Sequence, residues 1–457
     1  MRLRDQPAER GHDPVRRAAS RITCLPLLGC IAICLATAGA AQAQSADDSS
    51  RGTAQRDSLG KPDEPSKLLP DIEERGTQKD SLFPVSPLGW LHDLTDQGKK
   101  ELYDATNIDL GFALTHVFQG ITDSLPGEDD WGMATTADLV GSWDLLNPGE
   151  ATQGQIVAHV QGRWQYGDIT APEDLGFGSL ASGIGTADTF AEYTPSLVLR
   201  NLYWRQGSPE AGWGYRVGKI TPDGILASSD HLDSQITFLP SGGVSALAVG
   251  FPDSGFGAVG AWYINDRVTL AGLVSDANAD RFDFGDIDEG DFFTAVELQV
   301  KVAPQTPKAG YSKLTLWHND GTEDGSAINA STGKSGWGLF AKHEQELTAD
   351  GRLVGILRYG KSFDDAAFYD QQAAAHLLFY DPRFLTQLEH DVVGGAFNWA
   401  KTPDSSARSE YNAEAFYRFP LFPNVDTTLS YQSVINPAFT RDIDHASVFS
   451  LRLRASF

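Results

Sequence analysis

The last ten residues, Val448 to Phe457, constrain the fold more than any other stretch. Phe449, Leu451, Leu453, Ala455 and Phe457 form an apolar row, and Ser450, Arg452, Arg454 and Ser456 form a polar row between them. A strand sends alternate side chains to opposite faces, so this segment is a strand with one apolar face and one wet face. No turn follows it, and it stops on an aromatic residue. Two environments suit such a strand: the edge of a soluble sheet packed on a core, or the wall of a transmembrane barrel. In a barrel the apolar face meets lipid and the polar face meets a lumen.

The same period of two recurs along the chain. Ile108, Leu110, Phe112, Leu114 and His116 alternate with Asp109, Gly111, Ala113 and Thr115. Leu139, Gly141 and Trp143 then alternate with Asp138, Ser142 and Asp144, and Ile156, Ala158, Val160 and Gly162 alternate with His159, Gln161 and Arg163. Val140 and Val157 break these polar rows. Further runs start near residues 193, 211, 256, 267, 291, 310, 336, 352, 372, 391, 410, 425 and 448, which predicts about sixteen strands of the length a tilted barrel strand needs. The Gln and Ala content of residues 372–380 suits a helix equally well.

The connections carry the same message. Asn147-Pro148-Gly149-Glu150, Asn265-Asp266 and Thr348-Ala349-Asp350-Gly351 have turn chemistry. Longer polar stretches near 167–192, 221–255, 276–290, 319–335 and 436–447 fall between them. Short periplasmic turns alternating with long external loops are the pattern of a single-chain bacterial barrel. A soluble β-solenoid needs a fixed repeat, and the sequence has none. The expected fold is therefore all-β: a transmembrane antiparallel β-barrel of about sixteen strands.

The amino-terminal region reads as an export signal. Arg16, Arg17 and Arg21 precede an apolar run from Ile22 to Ala41, and the small-residue site Ala41-Gln42-Ala43 follows. All three cysteines, Cys24, Cys30 and Cys34, lie in this run. Cleavage after Ala43 leaves a chain without disulfides or thiolate chemistry. It also leaves 30 basic and 58 acidic side chains, a balance of −28 against −25 for the whole chain. So acidic a chain is a poor partner for nucleic acid. The mean hydropathy of −0.27 suggests a soluble protein, but alternating lumen and lipid residues cancel in any such average.

Four segments are expected. Residues 1–43 are the signal peptide, and residues 44–85 are a polar, flexible periplasmic leader with no core to join. Residues 86–106 form a short periplasmic amphipathic helix, with Ser86-Pro87 as N-cap and first position. Residues 107–457 form the outer-membrane barrel.

Catalytic signatures are missing. There is no Gly-x-Ser-x-Gly elbow, His-Glu-x-x-His or phosphate loop. Asp280, Asp283, Asp286, Asp288, Glu289 and Asp291 crowd one stretch. Its spacing departs from a calcium-hand loop, and an acidic external loop is the plainer reading. No metal or other cofactor is expected. The polar rows carry more: a wall bearing both signs of charge, amides and hydroxyls exchanges hydrogen bonds with a neutral polyol. Arg163, Arg200, Arg216, Glu297, Glu414 and Arg418 are the candidate pore-lining residues. The assignment of Arg200 and Arg216 depends most on register, since a slip of one residue exchanges the faces. An arginine at mid-depth on the lipid face costs about 2–4 kcal/mol, which favours the lumen for all four arginines.

Several short segments, in order, resemble a known family. They are Phe190-Ala191-Glu192-Tyr193, Leu197 through Trp204, Tyr215-Arg216-Val217-Gly218-Lys219-Ile220 and Thr237-Phe238-Leu239-Pro240. Glu414-Ala415-Phe416-Tyr417, Ile435-Asn436-Pro437-Ala438 and the final Phe457 continue the series. Together they resemble the carbohydrate-selective porins of the OprB type, and Trp90 to Asp104 is similar to the helix before the first strand in those proteins. The resemblance covers roughly residues 86–457. It implies an outer-membrane channel for passive diffusion of monosaccharides and similar small solutes, with charged and aromatic residues at a constriction. The implied partners are sugars or other small polar solutes, outer-membrane lipid and lipopolysaccharide, and the channel is a monomer or a homotrimer. A general or anion-permeable porin is the alternative, followed by a barrel-embedded enzyme or an adhesin.

Overall fold

The computed structural model describes residues 64–76, 80–176, 187, 189–302, 310–382, 386 and 388–457. The expected signal segment, its cysteines and the first part of the expected leader lie outside them. Sixteen strands close into one barrel. They are β1 (Ile108–Ile121), β2 (Trp131–Leu146), β3 (Gly154–Gln165), β4 (Leu197–Ser208), β5 (Trp213–Ile220), β6 (Gly255–Asn265), β7 (Val268–Asp276) and β8 (Phe292–Lys301). The second half comprises β9 (Gly310–Asn319), β10 (Gly336–Glu346), β11 (Leu353–Ser362), β12 (Gln371–Tyr380), β13 (Val392–Lys401), β14 (Glu410–Phe422), β15 (Val425–Ile435) and β16 (His445–Ser456). Each strand pairs antiparallel with its chain neighbour. β1 closes on β16 in a register running from Ala113 opposite Ser456 to Ile121 opposite Val448. Closure leaves no edge with unpaired backbone groups, which a membrane requires.

The alternation sorts faces as expected. On β16 Phe449 and Leu451 are exposed on the outer wall, whereas Ser450, Arg452 and Arg454 are buried in the lumen. The ambiguous Gln–Ala run is strand β12. Gln372, Ala374, His376 and Leu378 face inward and Leu377 faces outward, so pairing to β11 and β13 overrides local helix preference.

Two departures matter for function. First, part of the expected leader is ordered: Pro65–Gly76 forms a helix, α1. Its Leu68, Leu69 and Ile72 share one face, and they pack on Ala113 and Val140 of the inner wall. The leader thus has a core to join, supplied by the barrel. Second, the stretch 221–254 is no external loop. It folds back into the lumen, carrying the one-turn helices α3 (Pro222–Ile225) and α4 (Ser241–Val244). Its Ile225, Leu226 and Phe251 join Val157, Phe293, Trp317 and Phe340 in one apolar cluster. Its Leu232, Phe238 and Val244 join Val354, Ile356, Leu378 and Phe416 in another.

The following helix, α2, spans Gly89–Thr106, and its last turn hands the chain to β1 through Asn107. Ser86 is not its N-cap, because the helix starts later; the Ser86 hydroxyl accepts from Leu88 N at 3.1 Å and donates to Asn424 Oδ1 at 2.7 Å. Leu82 N donates to Pro420 O at 2.9 Å. These contacts place the helical region at the barrel end that carries the short turns.

Candidate functional site: the lumen cavity

The wall strands and the inserted loop leave a cavity of about 280 Å³. Three guanidiniums converge on it. Arg163 of β3 lies 4.4 Å from the centre of the Tyr193 ring, and Arg281, from the loop between β7 and β8, lies 5.0 Å from the same ring. Arg200 Nη1 donates to the Tyr193 hydroxyl and to Gln161 Oε1 at 3.2 Å each. Gln161 Oε1 also accepts from Arg163 Nε and from the Tyr193 hydroxyl, both at 2.9 Å. The Gln161 amide is fixed in turn by donating to Asp138 Oδ1 at 2.8 Å.

Neighbouring cations repel, and carboxylates answer them. Arg281 Nε and Nη2 reach Asp253 Oδ2 at 2.6 and 2.5 Å. Burial alone would raise the Asp253 carboxyl, but Arg281 and then Arg200 outweigh it and hold it below its ordinary value. Glu173 lines the same cavity, with Asn201 and Thr221 adding amide and hydroxyl groups and Phe251 and Phe439 adding apolar surface. The site therefore offers charged donors, charged acceptors and ring-sized apolar faces within one enclosure.

The six sequence candidates all reach the lumen, in three different settings. Arg163 and Arg200 line the cavity. Arg200 does so through a β-bulge: His159 pairs with Asn201 and Val160 with Leu199, so Arg200 is the extra residue. Strict alternation with the buried Asn201 and Tyr203 would have aimed it at lipid. Arg216 is ion-paired to Glu64, just before α1, at 2.9 Å. Glu297, Glu414 and Arg418 hold the inserted loop. Glu297 Oε2 accepts from Ala227 N at 2.7 Å, Glu414 Oε2 accepts from Leu239 N at 3.2 Å, and Arg418 Nη1 donates to Ile236 O at 3.1 Å. Among the described residues, no group of three His, Asp or Glu side chains is placed to hold a metal. In the acidic stretch, Asp280 and Asp283 instead accept from Phe282 N and Gly285 N at 2.6 and 2.7 Å.

The profile of the family described as "Carbohydrate-selective porin, OprB family" matches residues 182–457, more than half of the chain. The chain belongs to this family. It is a porin, a passive channel for carbohydrates in the bacterial outer membrane, and not an enzyme. In an OprB-family barrel the short-turn end that carries α1 and α2 is the periplasmic end. Among solved structures, the high-pH structure of Pseudomonas putida OprB is similar at 14% identity with a TM-score of 0.64, covering 83% of this chain and 99% of that one. At that identity the likeness bears on the fold alone. A triple mutant of the Rhodopseudomonas blastica porin scores 0.45 at 12% identity, covering 77% and 100% of the two chains. No curated protein matches.

Sequence reasoning missed Tyr193, which braces the arginines of this porin's cavity, and Arg281, Asp253 and Glu173, which line it. Tyr193 stood in plain sight in a family-like segment, but its position beside Arg163 depends on loop geometry. Arg281 was hidden among the acidic residues around it, and its sign was the signal. Asp253 became visible only when its loop turned inward.

Proposed function

We propose that solutes of one sugar ring cross the barrel through this cavity, with Arg163, Arg200 and Arg281 donating to hydroxyls and Asp253 and Glu173 accepting. The observation that carries the reading is the convergence of three guanidiniums and four carboxylates, Glu64, Glu173, Asp223 and Asp253, on a cavity of about 280 Å³. Small-molecule sites run from about 300 to 1,000 Å³, so this one suits a single ring rather than a chain of rings. Arg216, Glu297, Glu414 and Arg418 shape the path by positioning what fills the lumen. Residues 1–43 are taken as a signal peptide removed on export. Copies work singly or as homotrimers in a bilayer containing lipopolysaccharide.

Liposome swelling with the refolded protein tests this. Glucose, a disaccharide, arginine and a small salt are compared at matched osmolarity. Fast entry of glucose, slowed in Arg163→Ala, is the expected result. Equal rates for all solutes of one size would overturn the selectivity. The cluster of three guanidiniums also favours a second reading, an anion-permeable pore. A reversal potential near zero in a salt gradient would count against it.

A further inference from the structure

At the floor of the cavity the chain binds one of its own carboxylates. Glu64 and Pro65 line the cavity. Glu64 Oε1 sits 2.9 Å from Arg216 Nη1 and also accepts the Tyr203 hydroxyl. Its second oxygen accepts from Ser66 N at 3.1 Å. Glu64, Arg216 and Tyr203 are all buried, and the Arg216 guanidinium lies 5.7 Å from the centre of the Tyr203 ring. A guanidinium beside a phenol, both aimed at one planar anion, is the apparatus of carboxylate recognition.

What holds Glu64 there is small and exchangeable. Lys67 Nζ pairs with Asp230 of the inserted loop at 2.6 Å, and Arg75 Nη1 pairs with Asp426 of β15 at 2.8 Å. Burial would raise the Asp230 carboxyl, but Lys67, with Lys313 and Lys342, holds it well below its ordinary value. The apolar contact is confined to Leu68, Leu69 and Ile72 on Ala113 and Val140. Helix α1 thus packs on β1, β2, β3 and β16 while its charged side chains reach β15 and the inserted loop.

We propose that Arg216 and Tyr203 form a carboxylate subsite for acidic sugars, uronates by chemical class, and that Glu64 occupies it as an internal stand-in while α1 narrows the periplasmic mouth without closing it to glucose. The proposal rests on the sugar-channel reading above. When Glu64 leaves, buried Arg216 gives up the carboxylate it pairs with at 2.9 Å, which is costly. A neutral sugar does not replace that charge. A uronate does, and it places a sugar ring in the cavity above. Uronate entry and plug release are then two sides of one competition.

Ile72 and Gly111 give a direct readout of docking. A Cβ on Gly111 would lie 3.4 Å from the Ile72 Cβ, close to the roughly 3.5–4.5 Å of a disulfide. The chain has no cysteine after Cys34. In the full chain carrying Ile72→Cys and Gly111→Cys, the rate of oxidative cross-linking is followed with glucuronate, with glucose and with neither. Glucuronate is expected to slow cross-linking about fivefold or more, glucose to leave it unchanged, and Arg216→Gln to remove the difference. Equal rates with both sugars would overturn the subsite. If the double variant does not fold, Glu64→Gln serves instead. It is expected to raise basal conductance and to abolish the response to glucuronate; unchanged conductance would overturn the plug. Glucose swelling of the same preparations separates the two readings. Swelling without a glucuronate effect sinks the subsite alone, and absence of swelling sinks the channel.

Discussion

The inserted loop 221–254 and helix α1 both fill the lumen, but different chemistry holds them. Wall arginines grip the backbone of the loop. Arg452 donates to Ser234 O and Thr237 O at 2.6 and 2.8 Å, and Arg358 donates to Gly242 O and Val244 O at 2.6 and 3.1 Å. Two wall carboxylates accept loop amides, two apolar clusters lie beneath, and both loop ends continue into strands. A solute oxygen can replace one such carbonyl, but release of the loop would require all these contacts to break together while both its ends stay tethered to strands. Helix α1 is held by ion pairs between side chains and by one small apolar patch. An anion or a cation can imitate each half of an ion pair. The difference separates a fixed constriction on the external side from a releasable plug on the periplasmic side.

The largest expected effect comes from breaking the fixed half. Arg452→Ala strips the loop of two charged donors and deprives Thr428 of a third contact at 3.1 Å. Hydrogen bonds to charged groups contribute about 1.5–3 kcal/mol each, so a loss of roughly 3–5 kcal/mol is expected. It is read as a lower temperature for the shift from folded to unfolded mobility on gels.

Breaking the releasable half should leave that temperature unchanged. Arg75→Ala removes the bridge to Asp426. A partly buried pair of this kind contributes about 1 kcal/mol, roughly fivefold in the ratio of docked to released plug. Bilayer conductance should rise accordingly. A large fall in thermal stability from this variant would mean that α1 is as integral to the barrel as the loop.

At the cavity between the two, Arg281→Ala should slow glucose swelling severalfold while leaving both fillings in place. It leaves Asp253 buried without its nearest cation, so anionic solutes should be slowed more than glucose. Swelling rates for matched neutral and acidic sugars check this.

The smallest effect is that of pH on the plug. Burial, and then the Asp109 carboxylate, push the Glu73 carboxyl up to about 7, with Asp96 adding to this and Lys99 opposing it. In the released helix Glu73 returns to its ordinary value. Docking therefore favours the protonated form, and its penalty grows as pH rises from that ordinary value through about 7. Conductance should increase between about pH 5 and about pH 8, modestly, because solvent reaches Glu73 and screens the charge. A fall over the same range would contradict the assignment.

The barrel was legible because one period of two runs through every wall strand. Both fillings left traces in the same pattern. Val140 and Val157 interrupt the polar rows; Val140 lies under α1 and Val157 under the inserted loop. An apolar residue on a lumen face announces that something covers it, though not what. Leu68, Leu69 and Ile72 sat in a segment too polar to read as a core element, because their partner surface lies at β1 and β2, far along the chain. Arg200 shows the limit of periodicity, since a single bulge moved it from the lipid parity to the cavity. Tyr193, Arg281 and Asp253 come from three separate loops, and no spacing rule joins residues that only closure of the barrel brings together.

Ala330 lines the cavity and is half-buried. Glucose swelling of Ala330→Cys, before and after complete labelling with a bulky methanethiosulfonate, tests most directly whether sugar passes this point. Passage through the cavity predicts a fall to the rate of protein-free liposomes after labelling. An unchanged rate with labelling complete would contradict it and place the path elsewhere in the barrel.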